Sequence, residues 1–103
     1  MKQLTDYTND PRAKQVTTRR KAAGNYQILY DLRLAGWLYQ DLLTPKDPWR
    51  FEANLGGNVP IGWSITRIEF RSKREAMEYI TASILFVEDA ALDLAARRQQ
   101  EAG

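Results

Sequence analysis

A chain of 103 residues, 44% hydrophobic and 27% charged, has the size and composition of one globular domain built around one core. It contains no histidine and no cysteine, which removes the commonest general base, any disulfide, and the usual ligands of zinc and other borderline metals. Its net charge of +2 is lopsided: residues 1–21 carry Lys2, Arg12, Lys14, Arg19, Arg20 and Lys21 against Asp6 and Asp10, a surplus of +4, so the remainder sums to −2.

The start, Met1-Lys2-Gln3-Leu4-Thr5-Asp6, lacks the apolar run of a secretory signal. Nowhere do the roughly 18 apolar residues of a membrane span run together, and the cytoplasm is the expected location. The first predicted element is a basic helix over about Pro11–Ala23. Asp10 suits its N-cap, Pro11 its first position, and Gly24 the left-handed position past its end. Its apolar face is limited to Ala13, Val16 and Ala23, so it is expected to be marginal or to lean on the rest of the chain. Residues 1–24 are thus read as a basic arm, 25–98 as the domain proper and 99–103 as a tail.

Tyr26 to Leu34 alternates. Tyr26, Ile28, Tyr30, Leu32 and Leu34 fall on one side, and Gln27, Leu29, Asp31 and Arg33 on the other. That predicts a half-buried strand, Ala35-Gly36 as a two-residue turn with Gly36 at positive φ, and Trp37–Leu43 as the return strand. The helix formers Leu and Gln leave a helical reading of 26–43 open. Pro45 and Pro48 mark a loop. Arg50–Leu55, with Phe51, Ala53 and Leu55 on one side, predicts a third strand. Gly56-Gly57-Asn58-Val59-Pro60-Ile61-Gly62 predicts a second loop, and Trp63–Phe70 a fourth strand.

Ser72-Lys73-Arg74-Glu75 is a capping box, in which the serine accepts from the third helical N–H and the glutamate reaches back to the serine N–H. An apolar stripe follows at helical spacing: Ala76, Tyr79, Ile80, Ser83, Ile84, Val87, Ala90, Ala91 and Leu94. The helix is expected to run to about Arg98, since Arg97 and Arg98 suit the negative end of its dipole, and Gln99–Gly103 to fray. The predicted fold is α+β: a small antiparallel meander of three to four strands packed on a long C-terminal helix, with a short basic N-terminal helix. The junction Phe70-Arg71-Ser72-Lys73-Arg74-Glu75-Ala76 is similar to the strand-to-helix junction in the AP2-like arm-binding domains of tyrosine recombinases. That resemblance implies a three-stranded sheet with a C-terminal helix, binding DNA through the sheet. It is confined to those residues and assigns none of them a role.

The carboxylates Asp31, Asp41, Asp47, Glu52 and Glu69 are scattered along strands and loops and form no convergent set. Gly56-Gly57-Asn58 lacks the lysine and the following helix of a phosphate loop and reads as a turn. No enzymatic activity, cofactor, metal or small-molecule substrate is expected. The positive signal is charge. Arg67, Arg71, Lys73 and Arg74 gather where the last strand meets the long helix, although cations there oppose the helix dipole. A basic helix start suits phosphate or carboxylate; the competing reading is that Glu69, Glu75 and Glu78 neutralise it. With Arg12, Lys14, Arg19, Arg20 and Lys21, these are candidate nucleic-acid-binding residues of one surface, and Tyr39 or Trp49 could add stacking.

A second signal is apolar surplus. Leu85 and Leu92 lie on one line of the long helix opposite its core stripe, with Phe86 at the border and Glu78, Thr81, Glu88 and Asp89 alongside. Leu85, Phe86, Glu88, Asp89 and Leu92 form a candidate interface for a protein partner or a second copy. A sheet spanning roughly 17–30 Å should leave about two turns of a helix about 40 Å long overhanging. The competing account is that the N-terminal segment folds back over these leucines through Ala13 and Val16. Two functions follow. One is a non-enzymatic protein that contacts nucleic-acid backbone. The alternative is a protein-directed module, such as a stoichiometric inhibitor of the anti-defence type encoded by a phage or mobile element, acting through the helix face.

Overall fold

Asp10 caps a short 3-10 turn, Pro11–Gln15. Its side chain accepts from the Arg12 backbone N–H at 2.9 Å, and Pro11 occupies the first turn, where no N–H is needed. This computed structural model of the chain describes residues 7, 9–40, 48–54, 56, 59 and 69–102. The helix predicted to continue to Ala23 does not form. At Val16 the backbone becomes extended, and Val16–Ala22 is strand β1. Thr17 and Thr18 are poor helix formers and the segment has no apolar helical face, whereas pairing with the next strand satisfies its backbone polar groups. Gly24 does adopt the left-handed conformation, at φ 69°, but in the turn of a hairpin and not past a helix.

The sheet continues through β2 (Asn25–Tyr30), β3 (Arg33–Tyr39), β4 (Trp49–Ala53) and β5 (Glu69–Phe70). Strand order follows sequence order and every pairing is antiparallel, so the sheet is a five-stranded meander. This places 26–30 and 33–39 in a hairpin and removes the helical reading. The turn, however, is Asp31-Leu32 and not Ala35-Gly36. Both turn residues have positive φ, 50° and 66°, as a two-residue hairpin turn that follows the strand twist requires. The return strand ends at Tyr39. Ala35 is the extra residue of a bulge: Ile28 faces Gly36 while Leu29 faces Leu34. Gly36 has a packing reason for lacking a side chain. A Cβ there would fall 2.7 and 2.8 Å from Phe51 ring carbons and closer still to the Glu52 carbonyl oxygen.

The register sorts the side chains. Tyr26, Ile28, Leu38, Phe51 and Phe70 share one face, which helix α1 (Lys73–Ala102) covers with Ala76, Ile80 and Ile84. The opposite face carries the row Arg19, Gln27, Trp37 and Glu52 and the row Asn25, Tyr39, Arg50 and Glu69. Phe51 and Ala53 pack on or against the core as expected. Leu55 and most of the predicted fourth strand lie outside the described residues.

The helix starts as the capping box predicts, with Glu75 N–H donating to Ser72 Oγ at 3.1 Å. The Glu75 carboxylate accepts from the backbone N–H of Arg71 at 2.9 Å, one residue earlier than expected. The helix does not end at Arg98, and the expected fraying over Gln99–Ala102 is not seen. Ala, Arg, Gln and Glu all favour the helix, and the first residue able to stop it is Gly103. Positions 80–85 are all buried, so the helix is enclosed on every side there; from Ala90 to Gln100 every position is exposed. The overhang is thus about three turns. Among the described residues, no helix is long and apolar enough to cross a membrane.

Candidate functional site

The N-terminal turn is anchored by Arg12. Its Nη1 donates to Glu88 at 3.0 Å and to Asp89 at 2.8 Å, while Nε and Nη2 form a fork on Asp10 at 3.0 and 2.8 Å. Tyr30 reaches the same cluster from β2, its hydroxyl donating to the second oxygen of Glu88 at 2.8 Å. Ion pairing, led by Asp10 and then Asp89, raises the Arg12 guanidinium above its ordinary value. Burial, followed by the Glu88 hydrogen bond, pushes the Tyr30 phenol up to about 12, and burial, then Asp89, raises that of Tyr7.

This network corrects three expectations. Arg12 acts as a structural cation, with four of its five guanidinium donors engaged inside the chain. Glu88 and Asp89 face the N-terminal turn, where both accept from Arg12, rather than standing clear on the outer side of the helix. Leu85 is fully buried, because the chain before β1 folds over that side of the helix. Ala13 and Val16 line a recess with Met77, Glu78 and Thr81, so the fold-back account holds there. Of the five candidate interface residues, Phe86 and Leu92 remain exposed, joined by Leu94.

The remaining cations lie on the surface. Lys14, Arg19, Arg20, Lys21, Arg71 and Arg74 are exposed and Lys73 half-exposed; Arg67 lies outside the described residues. Arg20 sits directly across β1–β2 from Tyr26, and Lys73 Nζ lies 3.9 Å from the centroid of that Tyr26 ring. Tyr26 therefore joins the edge strand to the helix start. Arg19, its side chain on the other sheet face, carries the charge around the edge. None of Lys14, Arg19, Arg20, Lys21 or Arg71 has a side-chain ion pair among the described residues. Of the expected neutralisers, Glu69 pairs with Arg50 at 3.7 Å, Glu78 pairs with Arg74 at 3.3 Å, and Glu75 caps the helix. Positive charge on β1 has a structural effect too, since it discourages other strands from adding to that edge.

Trp49 packs against the core and lies 5.9 Å from Tyr26, so it supports the basic surface from beneath and does not stack outward. Tyr39 is exposed on the far sheet face, opposite Arg50. Tyr26 was not singled out in the sequence, because only strand pairing shows that Arg20 and Lys73 share it. Among the described residues, no group of three or more acidic residues could hold a metal ion. No family model matches the chain, and neither a curated protein nor a solved structure shows significant similarity to it.

Proposed function

We propose that this chain is a non-enzymatic binding protein whose edge strand and helix start contact the phosphate backbone of nucleic acid. The supporting observation is the convergence of Arg20 and Lys73 on Tyr26, which joins two basic clusters far apart in sequence into one surface. Arg19, Lys21 and Arg71, without side-chain ion pairs among the described residues, extend it. Cations held in this way displace counterions from phosphates. Each phosphate engaged on duplex DNA steepens the dependence of log K on log salt by roughly 0.9. Backbone contact of this kind fixes position without reading bases.

The test is fluorescence anisotropy with labelled duplex and single-stranded oligonucleotides over a salt series. The triple variant Arg20→Ala, Arg71→Ala, Lys73→Ala should bind every sequence more weakly and with a flatter salt slope. Absence of parent binding at low salt would overturn the reading, as would a triple variant that binds like the parent at every salt concentration.

A further inference from the structure

We infer that the sheet face turned away from α1 binds single-stranded nucleic acid by stacking bases on Trp37 and Tyr39. The inference rests on the backbone-binding reading above and names its substrate class. The first observation is where these two rings stand. On β3 they alternate with the buried Leu38, so both lie on the face that α1 does not cover. Neither belongs to the core or packs against it. Two large rings placed here contribute less to folding than they would in the core, and the solvated face of an antiparallel sheet ordinarily carries polar residues. The second observation is that the polar groups around them are unspent. Gln27 and Glu52 flank Trp37 across the strands, Asn25 lies beside Tyr39, and Arg19 closes the Trp37 row at the β1 edge. Arg19, Asn25, Tyr39 and Glu52 are exposed, and Gln27 and Trp37 half-buried. Among the described residues, none of these six has a side-chain hydrogen bond or ion pair. Arg50, on the other side of Tyr39, pairs with Glu69.

Spacing and charge choose the occupant. Residues two apart on a strand stand about 7 Å apart, twice the roughly 3.4 Å rise per base of a duplex strand. Bases received by Trp37 and Tyr39 are therefore drawn apart. An intact duplex buries its base faces in its own stack, whereas a single strand offers them to aromatic side chains. Charge crosses the face in one direction, from Arg19 on β1, past Trp37 on β3, to Glu52 on β4. Two strand spacings of about 4.8 Å separate β1 from β3, a gap that one nucleotide covers from phosphate to base. The backbone of the bound strand then follows Arg19 and the cationic edge, and its bases lie over β3. At Trp37 the base edge comes level with Glu52. A carboxylate there accepts from the amino group of cytosine or adenine and repels the carbonyl of thymine.

Anisotropy of labelled oligo(dC), oligo(dT) and a duplex of equal length, titrated with the full chain, tests this. At roughly 0.15 M salt, where charge is partly screened, both single strands should bind more tightly than the duplex, and oligo(dC) more tightly than oligo(dT). Trp37→Ala with Tyr39→Ala should weaken single-strand binding about tenfold or more and duplex binding far less. Glu52→Gln should narrow the gap between oligo(dC) and oligo(dT); an unchanged gap overturns the reading of the base edge. Should the double aromatic variant fold poorly, photo-cross-linking of the parent to oligo(dC) carrying 5-iodocytosine reads the same contact, with attachment expected at Trp37 or Tyr39. Failure of the parent to bind any of these probes at low salt overturns the backbone reading and this inference with it. Three results overturn the inference alone: a duplex bound more tightly than either single strand, a well-folded double variant that binds single strands like the parent, or cross-links confined to residues outside β3.

Discussion

Replacing Arg12 by methionine keeps most of the aliphatic stem and removes the guanidinium, which separates a structural role from a binding role. Arg12 donates four hydrogen bonds of 2.8–3.0 Å to Asp10, Glu88 and Asp89. Hydrogen bonds to charged groups contribute about 1.5–3 kcal/mol each. Their sum overstates the effect here, because Arg12 and Glu88 each keep 26% of their side-chain exposure and water screens the pairs. Against that, the variant leaves three carboxylates crowded without their shared cation. A loss of about 2–4 kcal/mol is expected, comparable to breaking a partly buried ion pair. In urea denaturation this lowers the midpoint by roughly 1–2 M. The salt slope of nucleic-acid binding should stay at the parental value, since four of the five guanidinium N–H groups of Arg12 are committed to Asp10, Glu88 and Asp89. A variant within about 0.5 kcal/mol of the parent would refute the anchoring role. A stable variant with a flattened slope would return Arg12 to the binding surface.

Gly36→Ala would ordinarily favour a folded strand, but here the added carbon meets the Glu52 carbonyl and the Phe51 ring; calorimetry should show a loss of about 3 kcal/mol, and a melt at or above the parental temperature would contradict the close approach. Leu32 is 85% exposed at a φ of 66°, so Leu32→Gly should gain about 0.5–1 kcal/mol by relieving a left-handed leucine without losing packing, whereas destabilisation would mean the side chain has a contact. The Tyr30 phenol, held up to about 12 by burial and Glu88, keeps its proton more tightly in the folded chain than in the unfolded one. Its contribution is therefore complete below about pH 10 and lost between about pH 10 and 12, on the order of 2–3 kcal/mol. The stability advantage of the parent over Tyr30→Phe should shrink across that interval, and an advantage independent of pH there would contradict the shift.

Local chemistry in the sequence was enough for what local chemistry controls. The serine and glutamate of the capping box start the helix at Lys73, period-2 alternation marks β2, and Asp10-Pro11 opens a helical turn. A meander on a C-terminal helix follows from those elements and from one apolar face on each. The length mismatch between strand and helix also foretells an overhang, whose extent the absence of a stop before Gly103 then enlarges. Tertiary pairing decided the rest. Val16–Ala22 has little intrinsic preference and becomes a strand because β2 offers hydrogen-bond partners. The β2–β3 turn falls on Asp31-Leu32, a position no glycine or asparagine announces, and the bulge at Ala35 resets the pleat. The site divides along the same line. Arg19, Arg20, Lys21 and Arg71 could be read as surface cations from composition alone. That Arg12 is spent internally, that Leu85 is interior, and that Arg20 and Lys73 meet at Tyr26 depend on contacts between residues dozens of positions apart. Charge and burial are properties of neighbourhoods in space, and those neighbourhoods exist only once the sheet and the N-terminal turn have closed on the helix.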